Sequence, residues 1–396
     1  MYSLLSYILG KTEENPEEIF QNSKVKEFIE KCWEGIDPST MIDIHTHIAG
    51  VQKDVTGCYV NETMDYPFWY PLKYIKKLVL MISSGVNPSS ETLDADYVDR
   101  FYKLIDKMHD NNFGQSHNNP KACIFAFDQF YEKDGIPVPE KTGMYVPNEY
   151  VFKIAQEFPN HFIPVMSINP YRKDAIQELE KYAALGGRIM KWLPNSMGIE
   201  LDDQHIEEFY EKMIELNVTL ITHTGDEHSV DGGFLDNRLG NPLKLEYPLN
   251  LGVRIIAAHC ATEGCYDHDG KIEAFRLFMN LMENPKYENL LYADISAITA
   301  FKRIGYLPEL LERGDLHHRF IYGSDYPIPA INPIIQLQPI VDMGLITDEE
   351  RDILKIIFKF NPLLFDFCLK RCLQLEDGDN VYKFSDRIFS TPSFLE

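Results

Sequence analysis

The chain has 396 residues, beyond the usual size of one domain but within the range of an α/β barrel that carries insertions. With 44% hydrophobic and 25% charged residues, it has the composition of a packed globular protein, which excludes a mainly disordered chain. Its 61 acidic against 38 basic residues give a formal net charge of −23, a surface that repels nucleic acid and excludes it as a general partner.

The N-terminal MYSLLSYILGKTEENPEE begins apolar but has no basic leader or small-residue cleavage site, so it reads as a short helix within a helical preamble over residues 1–40. No run reaches the roughly 18 apolar residues of a membrane span, so no membrane is expected as a partner. The first strand is MIDIHTH (41–47). Strand alternation puts His45 and His47 on one side, where two imidazoles can share a metal. The plainer alternative is a pair of hydrogen-bonded strand histidines.

Roughly 75 residues separate this strand from the next, long for a loop of a compact domain. They contain helical patterns at YPLKYIKKLVLMISSG and DYVDRFYKLIDKMHDNN. This insertion, residues 50–120, is read as an elaborated first βα loop forming a lid or substrate wall. Further strands follow at ACIFAFD (122–128), FIPVMSI (162–168), RIMKWL (188–193), VTLITHT (218–224), RIIAAH (254–259), LLYADIS (290–296) and RFIYGSD (319–325). Amphipathic helices separate most of them: NEYVFKIAQEF, RKDAIQELEKYAALGG, DDQHIEEFYEKMIELN, GKIEAFRLFMNLMEN and FKRIGYLPELLERG. The glycine pair closing the second of these is a helix C-terminal signal. Repeated strand–helix units without a GxGxxG turn point to a (β/α)8 TIM barrel over 41–366 rather than a dinucleotide-binding sheet. Residues 367–396 form a C-terminal tail. The seven scattered cysteines lack a disulfide or zinc-knuckle framework and suit free thiols in a reducing, cytoplasmic compartment.

Catalytic groups of such barrels collect at the C-terminal ends of the strands. There the sequence places His45 and His47, Lys191, His223 in THTG, His259 in AAHC and Asp325 in GSDYP. All are ligand-type residues, and four of the twelve histidines fall at these ends. Asp128 also ends a strand. The following loops offer Asp226, Glu227 and His228, then Glu263 and His268, any of which is equally a polar surface residue. His109, His161, His317 and His318 read as surface or structural.

The ordered set HTH, Lys191, His223, His259 and Asp325, with NEYVFKIAQEFPNHFIPVMSINP, GSDYP and FNPLLF, resembles the amidohydrolase superfamily, in the branch called amidohydrolase-2. The resemblance implies that His45, His47, His223 and Asp325 hold a divalent metal, zinc being the first choice, which lowers the pKa of its bound water. It implies Asp325 as catalytic base, and His259 as a catalytic group on the substrate carbonyl or a ligand of a second metal. Lys191 resembles the carboxylated lysine bridging two metals in some members. It reads equally as an ammonium gripping a substrate carboxylate, or as a structural lysine at the rim. No nucleophile elbow competes with water chemistry.

The expected activity is metal-dependent hydrolysis of a C–O or C–N bond in a small ester, lactone or amide. The same branch also holds non-oxidative decarboxylases of aromatic or unsaturated acids, and that alternative stays open. A small-molecule substrate and a homodimer complete the expectation.

Overall fold

The computed structural model of the chain describes residues 22–109, 119–230, 233–266 and 272–395. The expected N-terminal helix, the end of the DYVDRFYKLIDKMHDNN pattern and His268 lie outside the described residues. Eight strands occur where the sequence places them: β1 Ile42–His47, β2 Lys121–Phe125, β3 Phe162–Val165, β4 Ile189–Trp192, β5 Thr219–Thr222, β6 Ile255–Ala257, β7 Leu291–Asp294 and β8 Phe320–Ile321. The longer helices are α1 Ser23–Trp33, α2 Pro71–Ser83, α3 Leu93–Asp106, α4 Asn148–Glu157, α5 Ala175–Ala184, α6 Glu207–Glu215, α7 Glu246–Leu251, α8 Ala274–Met282, α9 Leu307–Glu312, α10 Leu337–Asp342, α11 Asp348–Phe360 and α12 Pro362–Cys372. Two further strands, β9 Gln374–Asp377 and β10 Asn380–Lys383, form an antiparallel hairpin. This is an α/β fold whose strands and helices follow the (β/α)8 order of a TIM barrel.

Local chemistry explains several boundaries. Helix α5 ends before Gly186, whose φ of 93° suits a residue without a Cβ. Thr347 and Glu350 exchange hydrogen bonds as a capping box that starts α11. Most of the eight strands are nearly uniform in burial, so they read as continuous apolar runs rather than alternating ones.

The chain divides into two compact units. The first comprises Met1–His47, Leu78–Cys123 and Ser296–Glu396, and the second Ile48–Lys77 and Ile124–Ile295. In the first, β1 runs beside the chain that continues β8: Ile44 N–H donates to Tyr322 O (3.0 Å) and His47 N–H to Tyr326 O (2.8 Å). On the other edge of β1, Thr46 Oγ1 donates to Cys123 O (2.6 Å). Helix α3, from the insertion, is part of this unit's core. Its Phe101 stacks on Tyr326 at 4.7 Å, and its Tyr97 hydroxyl donates to His47 O at 2.7 Å. Burying an aromatic side chain of that size contributes on the order of 1.5–3 kcal/mol.

The second unit is built on parallel strands in register. Lys191 of β4 pairs with Ile221 of β5, Ile221 with Ile256 of β6, and Ile256 with Tyr292 of β7. Met166, just past β3, bridges in parallel to Met190 of β4. Across the described residues, no helix is long and apolar enough to cross a membrane.

Candidate metal centre

In the first unit, β1 carries both expected histidines to one side at its C-terminal end. His45 is buried and His47 partly so, with ring centroids 5.2 Å apart. His47 Nε2 lies 2.8 Å from Asp325 Oδ1, and His45 Nε2 lies 3.5 Å from the same oxygen. One ligand atom from each of the three residues falls within 4.8 Å of the others. Ser296 Oγ sits 3.1 Å from His45 Nδ1, which fixes that ring with Nε2 toward the carboxylate. Two imidazoles and one carboxylate are a donor set that suits zinc or manganese. The residues fit a divalent ion.

Asp325 reaches this position because the chain leaves β8 early. Asp325 itself has a φ of 65°, a left-handed conformation uncommon outside glycine. Its N–H donates to His45 O at 2.8 Å, and the preceding Ser324 N–H donates to Asp43 Oδ1 at 2.8 Å. The same Asp43 oxygen accepts the His45 N–H at 3.3 Å, so one carboxylate pins both ligand-bearing segments. Burial pushes the Asp43 carboxyl up to about 7, against the lowering effect of the Ser324 hydrogen bonds.

The second unit holds the other expected residues. His223 and His259 come together with ring centroids 5.2 Å apart. His223 Nε2 lies 3.2 Å from Asp226 O, and its Nδ1 lies 3.5 Å from Glu227 Oε2. His259, Cys260 and Ala261 have φ values of 57°, 48° and 51°, three successive left-handed residues at the end of β6. Buried Asp294 holds that turn by accepting the His259 N–H at 3.0 Å. Strain of this kind persists only where surrounding contacts impose it, and it clusters at functional sites. Lys191 is buried on β4 with its Nζ 4.9 Å from the Phe125 ring centroid.

The loop candidates fare unevenly. Glu227 approaches His223, whereas His228 pairs with Glu263 at 3.1 Å on a more exposed side chain. Asp128 has a structural use: it accepts N–H groups from Gln129 and Asn169, both at 2.8 Å, and faces Arg172 at 3.1 Å. Buried His317 lies 2.9 Å from Leu310 O and accepts the Ser385 N–H, as a structural histidine does. The sequence reading did not single out Asp43 or Asp294. Asp43 stands two residues before His45 inside DIHTH, and Asp294 ends the strand LLYAD. The available signal was a carboxylate inside the apolar run MIDI for Asp43, and one at a strand end for Asp294.

The sequence model of a family described as "Amidohydrolase" matches residues 42–352, well over half of the chain. The chain belongs to this amidohydrolase family. Among solved structures, it is similar to an uncharacterized TIM-barrel protein from Bordetella bronchiseptica (14% identity, TM-score 0.49, covering 83% of this chain and 99% of that one). It is also similar to 5-carboxyvanillate decarboxylase from Novosphingobium aromaticivorans, solved with bound manganese (11% identity, TM-score 0.44, 91% and 98% covered). A third is 4-oxalomesaconate hydratase from Rhodopseudomonas palustris (15% identity, TM-score 0.40, 83% and 96% covered). No curated protein matches the sequence.

Proposed function

We propose that this amidohydrolase-family chain is a metal-dependent hydrolase that cleaves a C–O or C–N bond in a small ester, lactone or amide. The convergence of His45 Nε2 and His47 Nε2 on Asp325 Oδ1 carries the reading. These three residues would hold the metal, with zinc the first choice from the donor types. A divalent ion there would supply Lewis-acid polarisation and lower the pKa of a coordinated water.

The chain's own groups would do the rest. Asp325 accepts a proton at its carboxylate during attack and returns it to the leaving group. Ser296 keeps the His45 ring oriented, and Asp43 holds the Ser324 N–H next to Asp325. His223, His259 and Lys191 are carried as further ligand or substrate-handling groups on the family's sequence pattern. The reading includes a cytoplasmic location and a homodimer.

A panel of esters, lactones and amides, assayed with and without a chelator, tests this. Turnover that disappears with chelator and returns with zinc supports it. Carbon dioxide release from hydroxybenzoates with no hydrolytic turnover replaces it with the decarboxylase reading.

A further inference from the structure

Helix α12 contains Asp366 and Lys370, four residues apart and on one face, and neither has any solvent exposure. The Lys370 ammonium donates to Asp366 Oδ2 at 2.7 Å and to the backbone carbonyl of Gly323 at 2.7 Å. It also lies 5.3 Å from the centroid of the Tyr322 ring, whose hydroxyl donates to Asp366 Oδ2 at 3.1 Å. Burying such a pair is costly, and apolar residues of similar volume would pack the same helix face without that cost. A buried ammonium aimed at a main-chain carbonyl therefore calls for a reason beyond packing.

Its target supplies one. The Gly323 carbonyl and the Ser324 N–H belong to the same planar peptide unit. Lys370 holds the carbonyl from α12, and Asp43 holds the N–H from β1. With both ends fixed, the plane cannot rotate, and the next residue is Asp325 in its left-handed conformation. Space is equally constrained, since a Cβ on Gly323 would lie 2.9 Å from the Cβ of His45. The peptide that aims the carboxylate thus packs directly against the first histidine.

We propose that Lys370 is a positioning residue for the metal site: by clamping the Gly323–Ser324 peptide it sets the distance of the Asp325 carboxylate from His45 and His47. The proposal rests on the reading that these three residues hold a divalent ion. Asp366 and Tyr322 keep the ammonium in place, so the clamp comprises the helix pair and the ring together. None of these groups belongs to the donor set His45, His47 and Asp325.

Lys370→Met alone leaves Asp366 buried without its cation and is liable to unfold, so the test uses the double variant Lys370→Met/Asp366→Asn, in which both charges are gone. Zinc affinity of metal-free protein is measured by competition with a chromophoric chelator, beside Leu354→Ala, a buried α11 substitution that removes core volume but neither charge of the pair. The expected result is an affinity about ten- to a hundredfold weaker for the double variant, with Leu354→Ala binding as the wild type does. An affinity within about twofold of wild type, or an equal loss in Leu354→Ala, overturns the proposal. Asp325→Asn separates the two claims. If it binds zinc as tightly as wild type, the underlying site reading fails. If it loses zinc while the double variant does not, only the role of Lys370 fails.

Discussion

Both units seat a candidate residue in left-handed backbone beside a buried carboxyl group, Asp325 near Asp43 and His259 near Asp294, while the first adds a buried ammonium, that of Lys370, on the neighbouring Gly323 carbonyl. Behind His45, His47 and Asp325 stand Asp43, Asp366 and Lys370, all buried and linked through main-chain groups of the ligand-bearing segments. His259 sits in three consecutive left-handed residues, with Asp294 holding the turn by one N–H. The second unit also holds a network that reaches its surface, where buried Asp203 accepts from exposed Lys133 (2.7 Å), from buried Tyr171 (2.9 Å) and from the His205 N–H (3.0 Å). A pair with both members buried, as Lys370 and Asp366 are, is expensive to break, while one with an exposed cation, as Lys133 is, is screened and contributes less. The contrast separates residues that aim a ligand from residues that only stabilise a loop.

The largest effect is expected where donors themselves are removed. His45→Ala combined with His47→Ala leaves a single carboxylate of the set, and bound metal falls below about a tenth of an equivalent, as elemental analysis of the folded variant would show. Retention of full stoichiometry would break the comparison at its root. Next in size is Lys370→Met, which strands Asp366 and costs about 3–5 kcal/mol in urea unfolding. A loss below about 1 kcal/mol would place the pair with the weak surface bridges.

The smallest concerns Asp203. Burial raises its carboxyl, but the hydrogen bonds from Lys133, His205 and Tyr171 outweigh that and hold it well below the usual range. A depressed carboxylate contributes stability above its unfolded value near 3.8 and loses it as the pH falls further. Asp203→Asn is therefore expected to cost about 1–2 kcal/mol at pH 7, a figure reduced for solvent screening because Lys133 is exposed. The gap between variant and wild type should narrow steadily as unfolding is measured below pH 4. A gap that stays constant with pH would show that the charge is irrelevant.

Much of the fold was legible because β-rich apolar runs and helical periodicity are local signals. All eight strands lie where MIDIHTH through RFIYGSD placed them, although several end early. β8 stops at Ile321 and not Asp325, although the chain beyond it still bonds to β1 through Tyr322 O, the Asp325 N–H and Tyr326 O. β6 stops at Ala257, just before His259, Cys260 and Ala261 turn left-handed without a glycine to announce it. The convergence of His45, His47 and Asp325 was legible from their strand-end positions. Asp43, Asp294 and the Asp366–Lys370 pair were not singled out. Their meaning depends on partners far away in sequence, such as Gly323 for Lys370, and no spacing rule connects them.

Metal content per chain, measured by plasma mass spectrometry on protein purified without chelator, tests the central claim most directly when wild type is compared with Asp325→Asn. The account predicts at least one divalent ion per wild-type chain and a clear loss in the variant. Equal metal in both, or none in the wild type even after incubation with zinc or manganese, would contradict it.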